Sequence, residues 1–388
     1  MQFAIDRQEF LSTLKRAGAA INPSDMLAFR QSVLIVTEAK QPLVITGSSG
    51  PLAVICQAHG EVRKPGRALL NHRRLSAIVT ELPLGSIEIT VNDRFQVSFR
   101  GSSGKRKFTM TGADPADFPE ISGATAGEAL YSIETKILQQ ACDEVRFGVD
   151  KAYTDGILLS PDPDGLKFRC VSMSSRQMAV ATGWFTAASQ RQECLLPTNL
   201  LDAVGALSSD TTELVISMDE QKIGVATKNG ETLILALRLA TTFPAVWKLM
   251  LEHIPQVKRF KVSSDRFLES VRAVSVAADF VEGAERFVQI DIAYEKTAGC
   301  VVSTRKSERN FGEDDLPLIE APEDGSAFRL HIDGGLLSQA LRSFSPAELD
   351  LYYDAINGQQ TLCLRNETLC IILVPITPVG EIHVKPRK

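Results

Sequence analysis

The apolar positions of this chain fall into one composite pattern that is written three times. Phe3-Ala-Ile5 leads into Phe10, Leu11 and Leu14 at helical spacing; Tyr131-Ser-Ile133 leads into Ile137, Leu138 and Ala141; Phe260-Lys-Val262 leads into Phe267, Leu268 and Val271. Each opening predicts a short alternating strand that runs straight into an amphipathic helix. Further along each copy a second strand-to-helix junction appears: Leu69-Leu70-Asn71-His72 before Leu75, Ile78, Val79 and Leu82; Leu195-Leu196-Pro197-Thr198 before Leu200, Leu201 and Val204; Leu330-His331-Ile332-Asp333 before Leu336, Leu337 and Leu341. After each of these helices the period shifts to two, as in Ile87-Glu-Ile89-Thr-Val91 with Phe95-Gln-Val97-Ser-Phe99, Leu214 to Met218 with Lys222 to Thr227, and Leu349 to Tyr353 with Thr361 to Leu364. Alternation on both sides of a polar turn predicts hairpins. Phe118-Pro119 and Phe243-Pro244 close the first two copies with the same phrase. A period near 130 residues is the size of a domain rather than of a solenoid repeat, so the expected architecture is α+β: three tandem copies of one domain, each with two helices packed on antiparallel sheets.

The boundaries follow from where the pattern lapses. ISGATAGEA from Ile121 to Ala129 and EHIPQVK from Glu252 to Lys258 read as linkers, which gives domains at 1–125, 126–255 and 256–376. Lys306 to Asp324 holds seven acidic residues and is expected to be a long surface loop inside the third copy. The stretch 377–388 has no core pattern and reads as an exposed C-terminal extension.

Composition narrows the class. The chain has 388 residues, 44% hydrophobic and 23% charged, which suits a globular protein of two or three domains. No apolar run reaches the roughly 18 residues of a membrane span, and the first residues form a strand pattern rather than a leader, so the expectation is a cytoplasmic protein. The seven cysteines are odd in number and form no C-x-x-C, as reduced thiols in a cytosol would, and the five scattered histidines suggest neither a zinc site nor any other metal or cofactor. Gly47-Ser-Ser-Gly50 and Gly101-Ser-Ser-Gly104-Lys105 invite comparison with a phosphate-binding loop. The first lacks a lysine, the second lacks the full spacing, and both fall between strand patterns as hairpin turns would. Cys142 and the pair Asp143-Glu144 have no visible convergent partner, and a pattern spread evenly over three copies argues against the single asymmetric site of an enzyme.

With these residues in view, the chain resembles the sliding clamp of bacterial replication, the beta subunit of DNA polymerase III. The likeness is carried by the triplicated domain, the opening MQFAIDRQEFLSTL, the Phe-Pro closures and the ending CIILVPI, and it spans all but the tail. It implies a head-to-tail homodimer that forms a ring around duplex DNA, helices lining the hole and sheets forming the wall, with no catalysis and no cofactor. A helical wheel places Arg16, Arg73, Lys136, Arg146, Arg266 and Arg342 opposite the apolar stripes, where such a ring would meet DNA. A net charge of −5 argues against tight phosphate binding by the whole surface, yet a ring held by topology needs only weak, sequence-blind contacts.

The resemblance also implies a pocket for short linear motifs of the polymerase alpha subunit, the clamp loader and other clamp-binding proteins. Its positions here are Thr154, Met173, Ser175, Arg176, Met178, Pro244, Lys248, Leu249, Ile372, Leu373, Val374, Pro375 and Ile376. The segment Ser172 to Ala179 departs from the family pattern, which leaves open a paralogous clamp for repair or mobile-element replication, and Met173 and Met178 also read as core methionines. The run Ile372 to Ile376 is apolar at successive positions, so one of its faces is expected to meet a partner. For the dimer, the resemblance implies Phe108, on a strand Lys107 to Thr111, meeting a helix end at Val274 to Val276.

Overall fold

A computed structural model describes residues 1–376 except 102–105, 122–126, 152, 164, 208–211, 254–257, 279, 282–286, 305–309, 323–326, 345 and 357–358. The 377–388 extension and the end of the second glycine-rich segment therefore lie outside the described residues.

The element order repeats as the sequence pattern predicts. In the first copy, strand Gln2–Asp6 enters helix α1 (Arg7–Gly18), strands Ser32–Thr37, Leu43–Ser48 and Leu52–Ala58 follow, and strand Gly66–Asn71 enters α2 (His72–Glu81) before Ser86–Val91, Gln96–Gly101 and Lys107–Thr111. The second runs Glu128–Glu134, α3 (Thr135–Val145), Gly156–Pro161, Lys167–Met173, Gln177–Trp184, Cys194–Pro197, α4 (Thr198–Gly205), Glu213–Met218, Lys222–Thr227 and Thr232–Leu237. An additional helix, α5 (Val246–His253), precedes the third: Lys258–Ser263, α6 (Ser264–Ser275), Phe287–Glu295, Gly299–Thr304, Glu313–Leu316, Phe328–Asp333, α7 (Gly334–Ser343), Glu348–Ile356, Gln359–Arg365 and Leu369–Leu373.

Side-chain caps set four of the strand-to-helix junctions, while α4 starts from Pro197 without one. Asp6 accepts from the backbone N–H of Gln8 (2.8 Å) and Glu9 (3.2 Å), Asn71 from Arg74 (3.1 Å), Ser263 from Arg266 (3.5 Å), and Asp333 from Gly335 (2.8 Å) and Leu336 (3.3 Å). Each cap satisfies donors that the first turn of a helix leaves over, so a short polar residue after an apolar strand ends the strand and starts the helix together. The stripes follow the spacing only in part, since Ile78, Ile137, Leu268 and Leu336 are half-buried, as is Leu11. On α1 the buried face is Phe10, Thr13, Leu14 and Ala17, while Leu11 is half-buried; the Thr13 hydroxyl reaches the core by donating to the Glu9 carbonyl (2.8 Å).

The chain gathers into two compact units, residues 1–140, 159–168 and 184–240 in one, and residues 141–158, 169–183 and 241–388 in the other. The division cuts through the second copy because its sheets are shared with its neighbours. In the first unit a nine-stranded sheet carries Glu128–Glu134, Glu213–Met218, Lys222–Thr227 and Thr232–Leu237 on into Leu52–Ala58, Leu43–Ser48, Ser32–Thr37 and Gly66–Asn71 of the first copy. A separate five-stranded sheet runs Gly60–Lys64, Gln2–Asp6, Ser86–Val91, Gln96–Gly101, Lys107–Thr111. In the second unit, Gln177–Trp184 pairs with Leu369–Leu373, which continues through Gln359–Arg365 and Glu348–Ile356 to Lys258–Ser263. The other sheet of that unit includes Phe287–Glu295, Gly299–Thr304 and Glu313–Leu316.

Equivalent aromatic residues anchor the copies. Phe3 meets Phe10 edge-on with ring centroids 6.2 Å apart, Tyr131 stacks on Phe185 at 4.3 Å, and Phe260 stacks on Phe328 at 5.0 Å. Phe118 and Phe243 of the Phe-Pro closures are both buried, Phe118 packing on Leu34 and Leu69. Gly47-Ser-Ser-Gly50 is a hairpin turn in which Ser49 donates to Leu52 (3.0 Å) and Gly50 takes φ +96°. Gly47 itself lies against α1, where a Cβ would stand 2.1 Å from the Ala17 carbonyl.

One expectation is overturned. Lys306 to Asp324 is not wholly loop: Glu313–Leu316 pairs with Gly299–Thr304, and Leu318–Glu320 pairs with Lys258–Ser263. Acidic residues form strands here because their side chains leave the sheet for water or for a cation, while Leu316 alone is buried.

Candidate functional site

The basic residues set opposite the apolar stripes do not share one fate. Arg73 on α2, Lys136 on α3, Arg146 just beyond α3 and Arg342 on α7 are exposed, as are Asp143, Asp202 and Glu269. Arg16 is not: its side chain is only 12% exposed, donating to the hydroxyls of Thr232 and Thr13 (3.2 Å each) and lying 3.9 Å from Glu231. Arg266 is spent on α6's neighbours, with two bonds to Asp314 (2.9 and 3.1 Å) and one to Glu269 (3.1 Å). These two corrections share a cause. A wheel shows which way a side chain leaves its helix, but not that Thr232 or Asp314, distant in sequence, waits there. The wheel also passed over Lys15, Arg74 and Arg272, all exposed beside the residues it selected.

The sheets show a rule at their seams. The last strand of the second copy, Thr232–Leu237, pairs antiparallel with the third long strand of the first, Leu52–Ala58, from Thr232 opposite Cys56 to Ala236 opposite Leu52. The last strand of the third copy, Leu369–Leu373, pairs antiparallel with the equivalent strand of the second, from Leu373 opposite Gln177 to Leu369 opposite Ala181. Two members of this series are left at sheet edges: Lys107–Thr111, the last strand of the first copy, and Glu313–Leu316, the third long strand of the third copy. The first is basic and follows exposed Arg106; the second reads Glu-Asp-Asp-Leu.

The residues named for the dimer sit at these edges, with one correction. Phe108 is half-buried on the first edge strand. Val276, at the C-terminus of α6, is 89% exposed, but Val274 is buried inside the domain, since it falls on the same face as Phe267 and Val271. An open groove of about 560 Å³ runs along α6 between Asp265, Leu268, Glu269, Arg272, Ala273 and Val276.

The expected peptide pocket falls entirely within the second unit. Its floor is core: Thr154, Met173, Met178, Ile372 and Leu373 are all buried. This overturns the inference from the apolar run, because Leu369–Leu373 lies between Gln177–Trp184 and Gln359–Arg365, and an interior strand covered on both faces is apolar without alternation. Only its continuation Val374, Pro375 and Ile376 is half-exposed. That continuation is tied down, Val374 N–H donating to the Arg176 carbonyl (2.9 Å) and Ile376 N–H to the His331 carbonyl (2.7 Å). Arg176 is in turn held by Asp333 (3.2 Å), the carboxylate that caps α7. Ser175 is exposed at the tip of the turn, Pro244 half-exposed, and on α5 Lys248 lies over the Trp247 ring (5.5 Å to its centroid) beside Leu249, half of which is exposed. The surface available to a ligand is thus an aliphatic rim of Pro244, Leu249, Val374, Pro375 and Ile376 with the cations Arg176 and Lys248.

Comparison with known proteins points one way. Residues 1–122 match the family described as DNA polymerase III beta subunit, N-terminal domain. A beta sliding clamp of Staphylococcus epidermidis is 22% identical over 223 residues, covering 55% of this chain and 58% of that protein's length. A beta sliding clamp of Staphylococcus aureus is 20% identical over 366 residues, 91% of this chain and 93% of the relative. Among solved structures, the DNA polymerase sliding clamp from Bacillus subtilis superposes with a TM-score of 0.83 at 18% identity over 97% of this chain and 99% of its own, and the DNA polymerase beta subunit of Streptococcus pyogenes with 0.84 at 16% identity over 97% and 100%. At such identities the structural likeness establishes the fold.

Proposed function

We propose that this chain, a divergent relative of the bacterial beta sliding clamps, joins a second copy head to tail in a ring around duplex DNA and tethers a replicative polymerase to it. The observation that carries this reading is the pair of leftover edges. Two seams of the same kind are already closed inside the chain, and the strands that would make the next one are left at opposite ends of the repeat. A head-to-tail contact between identical subunits closes into a ring when the rotation permits. Exposed strand edges are otherwise a liability that folded proteins avoid.

Exposed Arg73 on α2, Lys136 on α3, Arg146 just beyond it and Arg342 on α7 supply diffuse positive charge on a chain of net −5. Contacts of this kind to phosphates are sequence-independent and permit sliding. The aliphatic rim with Arg176 and Lys248 suits an extended peptide bearing aliphatic and aromatic anchors and an acidic end, such as a clamp-binding segment of the polymerase alpha subunit or the clamp loader. The work is topological, so the chain needs no catalytic group, and its place is the cytoplasm, with the replicating chromosome.

The test is solution mass together with retention on DNA. A dimer that a clamp loader places on nicked circles, and that runs off once the circle is cut, supports the reading. A monomer at micromolar concentration, or equal retention on circles and linear DNA, overturns it.

A further inference from the structure

The seam between the first and second copies and the seam between the second and third match position by position. Val225 stands opposite Ile234 and Leu364 opposite Ile371. Through Ile216 and Leu351, those partners connect to Tyr131 and Phe260, the matching openings of their copies. Ile234 and Ile371 therefore hold the same position, and so do their successors Leu235 and Ile372. Leu235 faces Ala53 across the first seam, and Ile372 faces Met178 across the second. Met178 and Ile372 belong to the buried floor of the peptide surface, so Ala53 and Leu235 are the floor of its counterpart on the first seam.

That counterpart lies within the first unit, and it is occupied. Gly47, which lies against α1, stands opposite Val54, so Val54 and Ile234 are on the helix-packed face of the nine-stranded sheet. Ala53, Ile55, Leu233 and Leu235 alternate with them and form an apolar cluster on the other face. The occupant is the chain itself. Phe118, extended in its backbone, is buried on Leu34 and Leu69 and meets Phe29 edge-on at 6.4 Å, and Ile121, three residues further on, packs against Ala53 and Leu235. Pro119 and Glu120 between them are exposed, so this short segment lies on the sheet held by one aromatic and one aliphatic anchor.

The second seam begins in the same way and departs at the anchor. Phe243, the counterpart of Phe118 in the closing phrase, is also buried. The residue three further on is Val246, which opens α5 and is 38% exposed. Val246 does not serve the second seam as Ile121 serves the first.

We propose that the first seam carries a second docking groove for an extended peptide, and that Phe118 to Ile121 is its built-in occupant, which keeps the groove closed while Ile121 stays seated. The chemistry of the partner is read from that occupant: an aliphatic side chain for the seat on Ala53, Ile55, Leu233 and Leu235, presented on extended backbone beside an aromatic ring. Ile121 is only half-buried, yet it is tethered, and a tethered ligand competes at an effective concentration of roughly millimolar order. A free peptide at micromolar concentration enters once that seat is vacated. The inference rests on the docking reading for its class of peptide, and its test separates the two.

A fluorescent peptide with Leu and Phe anchors, titrated into the full chain and followed by anisotropy, reads both grooves. Leu249→Asp, which disables the rim on the second seam, should weaken binding by about a hundredfold or more. Adding Ile121→Asp should recover at least about tenfold of that loss, and adding Ile55→Asp on the first seam should cancel the recovery. Ile121→Asp alone should take up a second peptide per chain. Urea melts accompany each variant, and Ile121→Ala, a smaller change at the same seat, replaces Ile121→Asp where the latter lowers stability. A folded Leu249→Asp, Ile121→Asp protein that gains nothing, or a gain that survives Ile55→Asp, overturns the second groove. Binding by the double variant but not by the parent overturns the docking reading for the second seam and sustains the groove on the first; no binding by either overturns both.

Discussion

The difference in exposure among the helix cations makes a quantitative prediction about DNA. Four of the six arginines and lysines opposite the apolar stripes are exposed, whereas Arg16 is bound to Thr13 and Thr232 and Arg266 to Asp314 and Glu269. Each phosphate contact contributes about 0.9 to the slope of log affinity against log salt. Replacing Arg73, Lys136, Arg146 and Arg342 together by Ala should flatten that slope by up to about 3.6 per subunit, so that the loss of affinity between about 50 and 200 mM salt shrinks by roughly two decades. The complementary variant, Arg16→Ala with Arg266→Ala, should leave the slope within about one unit of the parent. Its effect should appear in folding instead: removing the Arg16 guanidinium leaves the largely buried Thr232 and Thr13 hydroxyls short of a partner, at about 1–3 kcal/mol. Fluorescence anisotropy with a duplex across a salt series, alongside urea melts, measures both. A slope lowered as much by the Arg16 and Arg266 pair as by the exposed four would refute the assignment.

Leu249→Asp should abolish binding of a fluorescent clamp-binding peptide with little change in stability, because half of that side chain is already in water, whereas Ile372→Asp should unfold the domain by burying a carboxylate with no partner; a Leu249→Asp variant that still binds would remove α5 from the pocket. Phe108→Ala and Val276→Asp should both shift the dimer toward monomer in ultracentrifugation, the former by about 2 kcal/mol or more, while Val274→Asp should lower the melting temperature instead, since that valine is buried in its own domain. His72, half-buried at the start of α2 with Nε2 3.0 Å from the Leu14 carbonyl, has its pKa lowered by desolvation, which outweighs that hydrogen bond. The unfolded chain therefore takes up the proton first, so the contribution of His72 is complete above about pH 6.5 and lost as the pH falls below it. His72→Gln should remove part of the decline in stability as the pH falls below about 6.5 in urea melts, and an unchanged decline would show that this imidazole is not responsible.

The triplication, the strand-cap-helix junctions and the hairpins were all legible in the sequence, because periodicity and capping are local: Asp6, Asn71, Ser263 and Asp333 act within three residues of where they stand. The anchoring aromatics Phe3, Tyr131 and Phe260 were legible for the same reason, each being fixed by alternation on its own strand. What the tertiary structure decided is which of these surfaces remains open. Arg16 is quenched by a threonine 216 residues away, and Ile372 is buried because its strand is interior to its sheet and covered on both faces. Lys107–Thr111 and Glu313–Leu316, by contrast, are open edges only because every other member of their series has already found its partner within the chain. A pattern of hydrophobicity specifies the face a residue presents; whether that face meets water, its own core or another molecule depends on partners brought together by folding, and their sequence separation carries no periodic signal.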